Sequence, residues 1–104
     1  MSIYEKRHFI SKELGIIKSN TILLNTQCKD TMSDELLKAL RIMYCDVRYL
    51  EQRYKYGAYS NHTLILQLRM DYKKLAALLK DTDEFCDKYI QDTEMRVTNI
   101  WHTI

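Results

Sequence analysis

At 104 residues the chain has room for one hydrophobic core, and it reads as a single domain over residues 1–104, too small for a multidomain enzyme. Its 2 glycines and complete lack of proline leave it without the residues that tight hairpins and phosphate-cradling loops require, which argues against all-β folds and Gly-rich nucleotide sites. Lys+Arg 16 against Asp+Glu 14 gives a net charge of +2, too little to draw nucleic acid or an anionic membrane from a distance.

The first segment carries Ile3, Ile10, Leu14, Ile17, Leu24 and Cys28 at alternating spacings of three, four and seven, with Arg7 and Thr21 at the intervening positions. That is the helical period, so a long helix is expected, with Gly15 or Ser19-Asn20-Thr21 as a place where it would kink or break. A polar stretch from Lys29 to Ser33 follows. Thr31 or Ser33 supplies a capping oxygen, and Asp34 and Glu35 place carboxylates in the first turn of a second helix. Leu36, Leu40, Met43, Val47, Leu50 and Tyr54 form its apolar seam, and Gly57 marks its end.

Ser60 or Asn61 is the expected cap of a third helix. Ile65, Leu68, Tyr72, Leu75 and Leu79 make its stripe, while Leu64, Leu66, Met70, Ala76, Ala77 and Leu78 spread apolar surface over more than half its circumference, as in a central helix. Thr82-Asp83-Glu84 then opens a fourth helix to about Trp101, on the stripe Cys86, Ile90, Val97, Ile100 and Ile104. The fold class is all-α, an antiparallel bundle of four helices. Leu79, Thr82, Cys86 and Ile90 also thread one unbroken stripe, so three helices with a continuous rod from the third to the fourth is the alternative.

Cys28, Cys45 and Cys86 are odd in number, far apart and without a C-x-x-C pair, so reduced thiols and a cytoplasmic location are expected. His8, His62 and His102 have no metal-ligand spacing to them or to each other, and neither a metal nor a cofactor is expected. Asn61-His62-Thr63 matches a glycosylation acceptor, but no secretion signal accompanies it. No apolar run reaches the ~18 residues of a membrane span, so no membrane partner is expected.

Charge is unevenly spread. Residues 1–80 hold 14 basic and 8 acidic side chains, a balance of +6, and residues 81–104 hold 2 and 6, a balance of −4. On the second helix Arg41, Arg48 and Lys55 recur every seven residues beside Ile42, Tyr49 and Tyr56, both lines away from the seam, and Arg53, Tyr54 and Tyr59 extend the set. Cations among aromatic rings grip acidic protein surfaces or nucleic acid. Asp81, Asp83, Glu84, Asp87, Asp92 and Glu94 give the fourth helix the opposite sign, and it is a candidate intramolecular complement of that basic face. Phe85, Tyr89, Phe9 and Ile16 are read as core, while Trp101, near a chain end, is a candidate anchor for a partner.

Arg96 and His102 form an R-x5-H pair, whose spacing resembles the RNase motif of the HEPN family of helical bundles. The resemblance covers seven residues, and Val97 stands where that family usually carries a polar side chain. It would imply RNA cleavage, but no catalytic residue is assigned on it.

The excess of apolar surface favours a non-enzymatic module, such as an adaptor, chaperone, inhibitor or immunity-type protein, that presents helix faces to a protein partner or a second copy of itself. The candidate partner-binding residues are Arg41, Ile42, Arg48, Tyr49, Arg53, Lys55, Tyr56 and Trp101. A nucleic-acid-binding regulator using the same basic and aromatic face is the alternative.

Overall fold

The computed structural model describes residues 1–28, 30, 32–57 and 62–104, and among them there are four helices and no strand. They are α1 (Ile3–Cys28), α2 (Asp34–Lys55), α3 (His62–Leu79) and α4 (Glu84–Thr103). The expected caps at Thr31, Ser60 and Asn61, the acceptor sequence at Asn61 and the extension to Tyr59 lie outside the described residues.

Local chemistry explains most of the boundaries. Ser33 is extended, and its hydroxyl accepts the Leu36 N–H at 3.2 Å, which starts α2. Gly57, at φ 116, takes the left-handed position after the last turn, where any Cβ would be strained. Asp83 starts α4 by accepting the Cys86 N–H at 2.8 Å. The continuous rod is not formed. Between Leu79 and Glu84 the chain turns through Asp81, at φ 62, a conformation that short polar side chains tolerate better than apolar ones.

α1, by contrast, runs unbroken through Gly15 and Ser19-Asn20-Thr21. Gly15 faces α2: a methyl group there would stand 2.7 Å from Glu51 Oε2, and Glu51 also accepts from the Lys18 ammonium. The glycine therefore leaves room for the Glu51 carboxylate over α1 and makes no hinge. Gly15→Ala gains about 1 kcal/mol of helix propensity but displaces the end of a flexible, part-buried ion-paired side chain. Its net effect on urea unfolding should be under about 1 kcal/mol, whereas Gly15→Leu, which displaces the whole Glu51 carboxylate and its bond to Lys18, should cost more than Gly15→Ala.

Each helix packs on two others in a ring: α1 on α2 and α4, and α3 on α2 and α4, while the diagonal pairs α1–α3 and α2–α4 make no close approach. The particle measures 43 × 20 × 20 Å, a bundle one helix length long and two helices wide. The predicted stripes supply most of its core: Ile10, Leu14, Ile17 and Leu24 from α1, Leu40, Met43, Val47, Leu50 and Tyr54 from α2, Ile65, Leu68, Tyr72, Leu75 and Leu79 from α3, and Cys86, Val97 and Ile100 from α4. Tyr89 joins them, while Ile90 and Ile104 of the α4 stripe are half-buried at its margin. Phe9, Phe85 and Trp101 pack against it from the margins. Ile3 falls outside, in the exposed first turn of α1. No helix is central. α3 touches two neighbours as the others do, and its extra apolar residues Leu66 and Met70 face outward.

The α1–α4 seam is polar along one edge and antiparallel in register. Arg96 donates to Glu13 at 2.7 Å and to Asp92 at 2.8 Å, and Asp92 also accepts from Asn20 at 3.0 Å. Deeper in, the Thr21 hydroxyl donates to the Ile17 carbonyl at 2.7 Å, so the Tyr89 hydroxyl, 2.8 Å away, is the donor in the bond between the two side chains. Tyr72 closes the α3–α4 seam by donating to the Ile90 carbonyl at 2.8 Å.

Candidate functional site

The outer face of α2 follows from the heptad spacing of its residues. With Leu40, Met43, Val47, Leu50 and Tyr54 buried, the helix must turn Arg41, Cys45, Arg48, Gln52 and Lys55 to the opposite side, and all five are exposed. Ile42, Tyr49 and Tyr56 flank that line and are 42%, 49% and 79% exposed. From Arg41 to Lys55 the strip is about 21 Å long at 1.5 Å per residue. Its cations are not neutralised by the fourth helix: α2 and α4 lie on a diagonal, so the acidic face of α4 is no intramolecular complement to it. Nor do these side chains fold back onto the core.

Within the strip the cations organise the rings. The Arg53 guanidinium, half-buried, lies 5.5 Å from the Tyr49 ring centre and donates to the Tyr49 hydroxyl at 3.0 Å. Lys55 Nζ lies 5.8 Å from the Tyr56 ring centre. Tyr54 belongs to the core and leaves the set. Beside the strip, between α1 and α2, a cleft of about 270 Å³ is lined by Ile22, Asn25, Leu37, Arg41 and Tyr44. Ile22 is itself exposed, so apolar surface continues from α2 onto α1.

Trp101 is not part of this face. It is half-buried on α4, where the Arg69 guanidinium covers its ring at 4.9 Å and His62 meets it edge-on at 6.0 Å, so it staples α4 to α3. The order in which helices become neighbours separates it from α2, and periodicity alone carries no such information. Arg96 is likewise committed: Glu13 and Asp92 occupy its guanidinium, while His102 is exposed at the end of α4. The R-x5-H spacing thus contains a structural arginine.

A second constellation escapes a reading by spacing. Cys28, at the end of α1, meets Asp83 and Cys86, at the start of α4, with one ligand atom of each residue within 4.8 Å of the others. The Cys86 N–H, then the Cys86 thiol, hold the Asp83 carboxyl below its usual range. Burial first, then the bond to Asp83 and the nearby Cys28, push the Cys86 thiol up to about 12. Both cysteines lie on the predicted apolar stripes, and an antiparallel pairing of the first and last helices is the one signal that would have joined them. Cys45, on the outer face of α2, is exposed.

No family model, curated protein or solved structure matches the chain. No helix among the described residues is long and apolar enough to cross a membrane.

Proposed function

We propose that the protein works without catalysis of its own, as an interaction module whose α2 face engages an acidic surface of another polypeptide that also carries apolar side chains. The observation that supports this most directly is the exposed trio Ile42, Tyr49 and Tyr56, held in register beside Arg41, Arg48 and Lys55 on a rigid helix. Aromatic side chains and arginines on such a surface are the types that dominate binding energy once a partner excludes water from them. Adaptors, chaperones, inhibitors and immunity-type proteins share this mode, and a second copy of the chain is one form the partner can take. Cysteines that form no disulfide fit a reducing, cytoplasm-like compartment.

A photo-crosslinking amino acid in place of Tyr49, introduced in the native cells, should yield one discrete polypeptide adduct that Arg48→Glu weakens at least about tenfold, the change for roughly 1.4 kcal/mol. No adduct, or one indifferent to Arg48→Glu, would refute the reading. Nucleic acid is the second reading, favoured by the alternation of cations and rings. Against it, Arg53 and Lys55 each already occupy one side of a tyrosine ring on which a base would stack. A nucleic-acid adduct from the same experiment, with affinity falling steeply in salt, would decide for it.

A further inference from the structure

Where α1 ends and α4 begins, two thiols and a carboxylate converge from positions 58 residues apart in the chain. We propose that Cys28, Asp83 and Cys86 bind a thiophilic divalent cation of the Zn²⁺ type, which clamps the end of α1 to the start of α4.

The donor set is soft, as such ions prefer, and a carboxylate completes three of four tetrahedral positions, with the fourth left to water. At Zn–S distances of about 2.3 Å, two thiolates on one ion stand about 3.8 Å apart. Donor atoms already within 4.8 Å of one another need contract by no more than about an ångström, a movement that side-chain rotation supplies. The site is oriented before any ion arrives. Asp83 is held by its bond to the Cys86 N–H at 2.8 Å, and the helical backbone fixes Cys86 three residues on. Cys86 is buried while Cys28 is half-buried and Asp83 exposed, so an ion enters from the Asp83 side and meets a wall of core behind Cys86. Capping accounts for Asp83, and packing at the core and its margin accounts for Cys86 and Cys28; the meeting of all three donor atoms at one height of the α1–α4 seam is the feature a cation would use. Binding replaces the S–H bonds of Cys28 and Cys86 by two S–metal bonds and releases both thiol protons to solvent, with no change of oxidation state.

The test is titration of the full chain, reduced and freed of metal, with Co²⁺ as the spectroscopic probe. One equivalent should produce thiolate-to-cobalt charge transfer and the intense visible bands of a tetrahedral ion, both abolished by excess Zn²⁺. Since two protons leave per ion bound, affinity should rise by up to about a hundredfold per pH unit while both thiols are protonated in the metal-free chain. Cys28→Ala and Asp83→Asn, at half-buried and exposed positions, should keep the helical circular dichroism and lose at least about tenfold in Co²⁺ affinity, while Cys45→Ser should match the parent. Absence of charge transfer in the reduced parent, parent-like binding by Cys28→Ala, or loss of the signal in Cys45→Ser would overturn the proposal.

Discussion

Leu68→Ala should lower the stability of the bundle by about 3 kcal/mol, whereas Leu66→Ala, two residues away on the same helix, should cost less than about 0.5 kcal/mol. Leu68 is wholly buried in the layer where α3 meets the rest of the core, and Leu66 is 46% exposed on its outer side. Truncating the buried residue removes transfer free energy and leaves a cavity that the rigid helices fill incompletely. Truncating the exposed one removes little from water's reach, and alanine's helix propensity offsets part of even that. For a chain of this size the first change corresponds to a fall of about 15 °C in midpoint temperature. Urea unfolding of the two variants side by side checks it, and equal losses would mean that the outward face of α3 is packed against something in solution.

Arg96→Met should cost about 2 to 3 kcal/mol, and adding Glu13→Leu to it should restore at least about 1 kcal/mol. The Arg96 and Glu13 side chains are 20% and 12% exposed, so solvent screens this pair less than an ordinary surface bridge. Removing the cation alone strands one carboxylate in the α1–α4 seam and a second, Asp92, at its edge. Replacing Glu13 as well removes the uncompensated charge and returns apolar contact to the same place. A double-mutant cycle by denaturant titration measures the coupling, and additive losses would show that the two residues act independently.

The boundaries of α2 were readable because each is a local event: a serine hydroxyl on a backbone N–H at one end, a glycine beyond the last turn at the other. The break before α4 was ambiguous because the left-handed residue is Asp81, whose side chain announces that backbone far less clearly than glycine does. Gly15 misled in the opposite sense. Its meaning lies across the interface, in the position of Glu51, and no window of sequence around residue 15 contains it. The outer face of α2 was legible for the same reason as its seam, since seven-residue spacing fixes both sides of one helix at once. Trp101 and the Cys28–Asp83–Cys86 cluster depend on which helices become neighbours and at what height. Periodicity is silent on both, so it gives neither the Arg69 and His62 side chains that cover Trp101 nor the meeting of the two thiols.

Three of the four seams in the ring join helices consecutive in the chain, and those hairpins close over short connections. The α1–α4 seam differs, because its hydrogen bonds link residues 68 to 83 positions apart. The entropy of closing a long loop is therefore concentrated in a single docking event, with the local pairings able to precede it. Pairing of consecutive helices ahead of the closure of α1 on α4 is the order this topology predicts, and the same closure, run backwards, is the route by which amides of the first and last helices would exchange together with solvent.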